Sequence, residues 1–293
     1  MDALAHWPLA QRRRIVGVLT DIDDTLTTDG AITPDALGAL ADLQQAGLHV
    51  MAITGRPIGW CGPFACGDLA RGVMPWPMDA FVAENGAVAW VEAVAALSES
   101  VKNTRKNGLQ PAQNKPRQLS KIYQQDAATR ADNHLKMQLV AQQVLHEIPH
   151  ARLSQDSPGR ETDIAIDHSE FSHLSAADIA HAVRIMQSAG MTATVSSIHI
   201  NGWYGEHNKL SGARWIVREL LQRELDQELD QWVYVGDSTN DQLMFAHFPH
   251  SVGVANIRRF EAELTHQPRY ITRSERGTGF AEVAQAILQA RAV

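Results

Sequence analysis

Residues 15–25, with the sequence IVGVLTDIDDT, decide the fold. The first five residues are apolar and rich in β-branched side chains, which is typical of a buried strand. Asp21 and Asp23 are two residues apart, so in an extended segment both side chains project to the same side. Two neighbouring carboxylates repel each other and require a cation or a shared proton, and oxygen-only ligands favour magnesium. The stretch predicts a strand that ends in a metal or acid site; an acidic turn that caps the next helix is the alternative.

A helix and a second strand follow directly. Thr33 and Pro34 are a favoured cap and first residue of a helix, and apolar residues recur at helical spacing over residues 37–43. Gly47 ends this helix, and residues 48–53 form another apolar strand. A strand, a helix and a strand at this spacing predict a βαβ unit and therefore a parallel sheet.

The pattern changes after a third strand at residues 80–83. A polar and basic stretch, 99–121, indicates an exposed loop, although its segment 102–121 could instead contact a second anionic group of a ligand. The block after it has the order α-β-β-α-β, and the parallel pattern then resumes. We therefore predict an α/β fold with a Rossmann-like parallel-sheet core, residues 1–87 and 202–293, and a smaller α+β domain, residues 88–201, inserted into it. The elements predicted for the block and for the resumed core are a helix at 128–148, strands at 151–153 and 161–167, a helix at 174–189, a strand at 192–201, a helix at 211–223 and strands at 232–235 and 251–254.

Composition narrows the class of protein. The chain has 293 residues, 44% hydrophobic, with a formal net charge of −7. This acidic balance argues against binding to nucleic acid or to an anionic membrane surface. The apolar runs are too short for a signal peptide or a membrane span, so a cytoplasmic location is expected. Cys61 and Cys66 are too few for a disulfide scaffold or a structural zinc site, and in a Gly/Pro-rich loop they are expected to be packing residues.

More polar groups follow the other predicted strands. Thr54 and Arg56 come after the second strand and offer a hydroxyl and a backbone turn suited to phosphate oxygens, although an ordinary strand-to-helix turn would have the same composition. Asp237 and Asp241 follow the strand at 232–235, and Lys209 stands where the chain re-enters the core. Ligands of open α/β sheets bind at the carboxyl ends of the strands, so these groups are expected to meet.

This ordered set resembles the haloacid dehalogenase-like superfamily of phosphotransferases. The block between the second and third motifs is similar to the IIB (Cof-type) cap of sucrose-phosphate, mannosyl-phosphoglycerate and sugar-phosphate phosphatases. The matching segments are Asp21-x-Asp23-x-Thr25, Thr54, Lys209 and Gly236-Asp237-x-x-Asn240-Asp241, with Glu84-Asn85-Gly86-Ala87 before the cap.

The resemblance implies a mechanism. Asp21 would attack phosphorus to form an acyl-phosphate, and Asp23 would protonate the leaving oxygen and later deprotonate water. Thr54 and Lys209 would hold phosphoryl oxygens. Mg²⁺ would be bound by Asp21, by the backbone carbonyl of Asp23 and by Asp237, with Asp241 nearby.

The expected function is therefore a Mg²⁺-dependent phosphatase that acts on a small phosphorylated metabolite, a sugar phosphate or a similar polyol phosphate. A phosphomutase and a non-catalytic sugar-phosphate-binding regulator are the alternatives. The expected partner is the small phosphorylated substrate, and neither a nucleic acid nor a membrane is expected.

Strand alternation predicts the face of the cap that meets the substrate. In residues 161–167 and 197–201, Ile164, Ile166, Ile198 and Ile200 would share a buried face, and the polar residues between them would face the core. Solvent exposure of that polar face is the alternative. The candidate substrate-binding residues, from cap and core, are Arg56, Asn85, Arg160, Asp163, Ser197, His199, Asn201 and Asn240.

One further motif resembles a zinc site. Residues 146–150, HEIPH, match H-E-x-x-H, which needs an unbroken helix to place both histidines on one face. Pro149 disfavours helical backbone at Ile148, so no zinc site is expected.

Overall fold

The computed structural model describes residues 1–92, 119–196 and 198–292. In chain order the strands are β1 (Asp2–Ala3), β2 (Gly17–Thr20), β3 (Thr27–Thr28), β4 (Ala31–Ile32), β5 (His49–Ile53), β6 (Ala80–Ala83), β7 (Val88–Glu92), β8 (Leu119–Tyr123), β9 (Arg152–Leu153), β10 (Ile164–Asp167), β11 (Thr192–Val195), β12 (His199–Trp203), β13 (Trp232–Gly236), β14 (Ser251–Gly253) and β15 (Tyr270–Ile271). The α-helices are Leu9–Arg13, Pro34–Gln45, Ile58–Cys66, Ala127–Glu147, Ala176–Ser188, Lys209–Leu221, Gln242–His247 and Arg276–Ala292.

The core is built on a nine-stranded sheet with the order β1-β15-β14-β13-β2-β5-β6-β7-β8. The first seven strands in this order, from β1 at the edge to β6, run parallel to one another. The last two, β7 and β8, are antiparallel to their neighbours. The predicted parallel α/β sheet is confirmed. β2 lies between β13 and β5, so the loops after these three strands open at the same edge of the sheet.

Apolar residues cover both faces of the large sheet. Val18 and Val50 pack into one hydrophobic cluster and their neighbours Leu19 and Met51 into the other. A strand that is buried on both faces has no polar alternation, which explains the continuous apolar runs of the sequence. The helix Pro34–Gln45 begins as predicted, with the Thr33 side chain accepting a hydrogen bond from Ala36 N.

The second sheet is antiparallel and has the order β11-β12-β10-β9. The helices Ala127–Glu147 and Ala176–Ser188 cover its apolar face, which forms a separate hydrophobic cluster around Ile164, Ile166 and Ile200. We call these four strands and two helices the cap. The α+β character predicted for the inserted block is confirmed.

Three details differ from the predictions. β7 and β8 continue the large sheet, although we had assigned residues 88–201 to the cap. The strand predicted at 192–201 is a hairpin of β11 and β12, closed by a hydrogen bond from Ser196 N to His199 O of 2.8 Å. The two cysteines lie in the helix Ile58–Cys66 and not in a loop, and Cys61 is buried in the core.

The H-E-x-x-H segment does not form a helical zinc site. The helix ends at Glu147, and Ile148 has extended backbone with φ −120°. Residues 102–118 of the basic stretch 102–121 lie outside the described residues, and its Lys121 lies in β8. The predicted substrate residue Ser197 also lies outside the described residues. Among the described helices, none is both long and apolar enough to cross a membrane.

Candidate active site

Asp21 follows β2 at the carboxyl edge of the sheet. Its backbone nitrogen donates to Val235 O of β13 at 2.9 Å, which continues the strand pairing by one residue. Its side chain is buried, and Oδ2 lies 3.1 Å from Lys209 Nζ. Burial raises the pKa of Asp21 to about 7; Lys209 acts to lower it, whereas Asp241 raises it further. The carboxylate is therefore held in a desolvated position beside a cation.

Asp241 joins the loop after β13 to Lys209. Its Oδ1 accepts hydrogen bonds from Lys209 Nζ at 2.7 Å and from the Tyr234 hydroxyl. Its Oδ2 accepts from Asp237 N at 2.9 Å and from Ser238 N at 3.2 Å. Both oxygens of Asp241 thus have protein donors, an arrangement that favours a positioning role over direct ligation of a metal.

Lys209 is the first residue of a helix, and the cap of that helix fixes its position. The Asn208 side chain caps the helix Lys209–Leu221 by accepting hydrogen bonds from Leu210 N and Ser211 N. Burial acts to lower the pKa of Lys209, but Asp21 and Asp241 outweigh it and hold the pKa above its usual range. The ammonium group is consequently a fixed positive charge at the site.

The two carboxylate oxygens of Asp237 have different surroundings. Its Oδ2 accepts a hydrogen bond of 3.0 Å from Asn256 Nδ2, whereas Oδ1 is buried and has no hydrogen-bond partner among the described residues. Burial raises the pKa of Asp237 well above its usual range, and the charges of Asp241 and Asp21 add to this. Ligand oxygens of these three aspartates lie within 4.8 Å of one another. An unpartnered oxygen among repelling carboxylates fits a bound divalent cation. We call Asp21, Lys209, Asp237 and Asp241 the catalytic cluster.

Asp23 is held by Arg56. The guanidinium Nε lies 3.1 Å from Asp23 Oδ1 and 2.9 Å from Oδ2, and Nη2 lies 3.0 Å from Oδ1. Arg56 is thus the partner of Asp23, and its predicted contact with substrate stays a prediction. Such a planar, charge-assisted pair orients the carboxylate.

The same arginine contacts the cap. Arg56 Nη1 donates to Asp156 Oδ2 and Nη2 to Glu170 Oε1, both at 3.1 Å. The other oxygen of Glu170 lies 2.8 Å from His199 Nε2. The sequence analysis missed Asp156 and Glu170, because they lie in cap loops with no motif of their own. Through Arg56, the carboxylate of Asp23 is connected to the cap.

The predicted substrate residues Arg160, Asp163 and Asn201 contact one another. Arg160 Nη1 lies 2.9 Å from both oxygens of Asp163 and 3.1 Å from Gly55 O of the core. Asn201 Nδ2 donates to Asp163 Oδ2 at 3.0 Å. All three side chains are buried. Their contact with substrate stays a prediction.

Glu84 makes a further connection between core and cap, and the sequence analysis assigned it no role. It has left-handed backbone with φ 50°, and its buried carboxylate accepts hydrogen bonds from Ile58 N, Glu161 N and both polar groups of Thr162. Burial raises the pKa of Glu84, and the hydrogen bond from Ile58 acts to lower it. We call Glu84, Arg160, Asp163 and Asn201 the core–cap cluster.

A small cavity of about 20 Å³ lies over Asp21. Thr54, whose hydroxyl accepts from Arg56 N at 3.0 Å, lines it from the core. Of the predicted cap residues, His199 and Asn201 line it from above. Ile198, which we had expected on the buried face, lines it too, because it lies in the turn before β12. The full lining is Asp21, Asp23, Thr54, Gly55, Arg56, Ser196, Ile198, His199, Asn201 and Asn240.

A family model described as haloacid dehalogenase-like hydrolase matches residues 18–283. The chain belongs to this family. The match includes every residue of the catalytic cluster and both Asp23 and Thr54, so the prediction of an enzyme of this class is confirmed. No curated protein is similar to the chain at a significant level.

Solved structures share the fold of the family. A HAD/Cof-like hydrolase from Plasmodium vivax is 15% identical, with a TM-score of 0.63 over 96% of this chain and 99% of that one. The sucrose-phosphatase from Synechocystis sp. PCC6803, in complex with sucrose and phosphate, is 15% identical, with a TM-score of 0.59 over 94% of this chain and 98% of that one. A HAD subclass IIB sugar phosphatase is 14% identical, with a TM-score of 0.50 over 93% of this chain and 98% of that one. The fold likeness thus extends through the cap to subclass IIB.

Proposed function

We propose that the protein is a Mg²⁺-dependent phosphatase that hydrolyses a small phosphorylated metabolite, a sugar phosphate or similar polyol phosphate, through an aspartyl-phosphate on Asp21. One observation carries the proposal. Asp21 is buried 3.1 Å from Lys209 and shares a cluster with Asp237, whose Oδ1 has no protein partner among the described residues. Relatives of known fold include phosphatases of sucrose phosphate and of sugar phosphates.

In the first step a carboxylate oxygen of Asp21 attacks phosphorus and the bond from phosphorus to the alcohol oxygen breaks. The cation Lys209 stabilises charge on the phosphoryl oxygens, and the Thr54 hydroxyl at the cavity wall donates to another of them. Burial suits this step, because charge stabilisation is larger in a site that excludes water.

Asp23 transfers the protons. It gives a proton to the leaving alcohol oxygen and later accepts one from the water that attacks the phosphorus of the intermediate. The pair with Arg56 holds its carboxylate at the cavity lined by Asp21. The bond from phosphorus to the Asp21 oxygen breaks in this step, so inorganic phosphate leaves and the Asp21 carboxylate is regenerated.

Asp21 and Asp237 would hold the Mg²⁺, with Asp241 orienting the Asp237 backbone and Lys209. The bound ion would neutralise charge on the transferring phosphoryl group. Phosphorylated metabolites are charged compounds that cells retain, so the cytoplasm is the proposed location.

A phosphate-release screen tests the function. The protein is incubated with Mg²⁺ and a panel of polyol and sugar phosphates, and both inorganic phosphate and sugar-phosphate isomers are measured. We expect phosphate release from at least one member and no isomer. An isomer without phosphate release would indicate the phosphomutase, and binding without turnover would indicate the regulator.

A further inference from the structure

Asn256 lies beside the catalytic cluster without belonging to it. It follows β14, which pairs parallel with β13, so it lies at the same edge of the sheet as Asp237. The residue is part of the short 3₁₀ helix Ala255–Phe260 and is 2% exposed. The sequence analysis gave Asn256 no role, because no pattern around it points to a site.

The Asn256 side chain uses both ends of its amide. Nδ2 donates to Asp237 Oδ2 and to the backbone oxygen of Asp24, both at 3.0 Å. Oδ1 accepts from Arg276 N at 2.9 Å, at the first residue of the helix Arg276–Ala292. Reversing the amide would place Oδ1 against two oxygens and Nδ2 against an N–H, so the network fixes its orientation. Asn256 thus joins three separate segments of the chain.

One of these segments is the loop after β2, which Asn256 holds at Asp24. Asp24 has left-handed backbone with φ 52°, a conformation that persists only where the surroundings impose it. Its nitrogen donates to Thr27 Oγ1 at 3.2 Å and its oxygen accepts from Asn256, so both peptide groups of the residue are held. An ion pair of 3.0 Å joins its side chain to Arg276 Nε. The direction of the Asp23 carbonyl, which belongs to the preceding peptide, is thereby fixed.

The second segment is the loop after β13, and there Asn256 distinguishes the two oxygens of Asp237. Asn256 occupies Oδ2, whereas Oδ1 has no partner among the described residues. A carboxylate that is held at one oxygen cannot rotate freely, so its other oxygen keeps one direction. Groups that orient metal ligands in this way are commonly worth about 10–100-fold in metal affinity or activity.

We propose that Asn256 is a positioning residue of the Mg²⁺ site, which holds the Asp237 carboxylate and the loop of Asp21 and Asp23 in register with each other. This inference rests on the Mg²⁺ dependence proposed above. Mg²⁺ requires nearly ideal octahedral geometry, whereas Ca²⁺ accepts irregular coordination. Fixed ligand directions therefore matter more for Mg²⁺, and Asn256 favours the smaller ion without contacting it.

Two substitutions remove the hydrogen bonds of Asn256 in different ways. Asn256→Leu keeps the number and branching of the side-chain heavy atoms but has no polar group, and Asn256→Ala leaves space instead. Ser251→Ala is the matched control. Ser251 is the buried first residue of β14, at the opposite edge of the sheet, and its hydroxyl donates to Phe245 O at 3.3 Å and accepts from Arg269 N at 3.1 Å. Isothermal titration calorimetry of protein dialysed against chelator gives the Kd for Mg²⁺ and for Ca²⁺.

We expect both Asn256 variants to raise the Kd for Mg²⁺ about tenfold or more and the Kd for Ca²⁺ by a smaller factor. Ser251→Ala should change neither value. An unchanged Kd for Mg²⁺ in a folded Asn256 variant, or an equal loss for both ions, would overturn this inference alone. If both Asn256 variants fail to fold while Ser251→Ala folds, Asn256 has a structural role and the inference is overturned too. A wild-type protein that binds no Mg²⁺ would overturn the proposed metal dependence and this inference with it.

Discussion

The catalytic cluster and the core–cap cluster are both buried groups of charge at the same edge of the molecule, but their carboxylates are satisfied differently. In the core–cap cluster both oxygens of Asp163 and both oxygens of Glu84 accept hydrogen bonds from the protein. Burial raises the pKa of carboxyls in both clusters. In the catalytic cluster, however, Asp237 Oδ1 has no donor among the described residues.

This difference distinguishes carboxylates that hold parts of the fold together from carboxylates that are free to bind a ligand. Burying a carboxylate is costly, and donors from two parts of the chain offset the cost while joining those parts. A carboxylate oxygen left without donors keeps its capacity for a cation or a phosphoryl group. We therefore expect variants of the core–cap cluster to lose stability and variants of the catalytic cluster to lose turnover.

The largest expected effect belongs to Asp21→Asn. An amide cannot form the acyl-phosphate, so kcat should fall by about 10⁴-fold or more, as for other enzymes that lose a nucleophile. The fold should not suffer, because the substitution removes a desolvated charge from a group of repelling carboxylates. Steady-state phosphate release and urea unfolding measure the two quantities. A folded variant that kept a tenth of the wild-type activity would exclude Asp21 as the nucleophile.

Asp23→Asn should reduce kcat by about 10²–10⁴-fold, the usual contribution of a positioned acid or base. The reduction in the step that forms the phospho-enzyme should be smaller for p-nitrophenyl phosphate, whose leaving group needs little protonation. Single-turnover rates on p-nitrophenyl and alkyl phosphates give the comparison. Equal reductions for both leaving groups would argue against the role of Asp23 as an acid.

Arg160→Met should destabilise the protein by about 3–5 kcal/mol, because Asp163 is then buried without its cation. The double variant Arg160→Met with Asp163→Leu should recover most of this loss, since an apolar pair of similar volume replaces the ion pair. Urea unfolding of both variants measures the free energies. A single variant as stable as the wild type would mean that the core–cap cluster has no structural role.

Magnesium should stabilise the protein dialysed against chelator by about 2.7 kcal/mol at a hundred times its Kd. Asp237→Asn should lose this gain, and without metal it should be as stable as the wild type, because the charge it removes is desolvated and repelled by Asp241 and Asp21. Thermal unfolding with and without Mg²⁺ provides the measurement, and calcium, which prefers looser coordination, should stabilise less well. An equal magnesium gain in the variant would remove Asp237 from the metal site.

Local patterns predicted much of the fold and of the site. Asp21, Thr54, Lys209 and Asp237 follow strands or open a helix, so their meeting at one edge follows from the parallel sheet alone. Asp156 and Glu170 could not be placed, because their contact with Arg56 depends on how the cap packs against the core. For Glu84 the sequence indicated only a turn, and its left-handed backbone conformation, with φ 50°, is seen only in the structure.

The errors in the fold have similar causes. β7 pairs antiparallel with β6 after a short turn, and its strand composition does not say which sheet it joins. The hairpin of β11 and β12 contains no Gly or Pro at its turn, so strand periodicity continued through residues 196–198. A one-residue error in such a turn moves a side chain to the other face, as the position of Ile198 at the cavity over Asp21 shows.

The central claim is that Asp21 carries the phosphoryl group, and trapping the intermediate tests it most directly. Asp23→Asn is mixed with acetyl phosphate and Mg²⁺, since this donor needs no acid and the variant should hydrolyse the intermediate slowly. Acid quenching and borohydride reduction then convert an aspartyl-phosphate to homoserine, which peptide mass spectrometry locates. The account predicts homoserine at position 21 and its absence without acetyl phosphate. Phosphate release with no reduced residue at position 21, or with the reduced residue elsewhere, would contradict it.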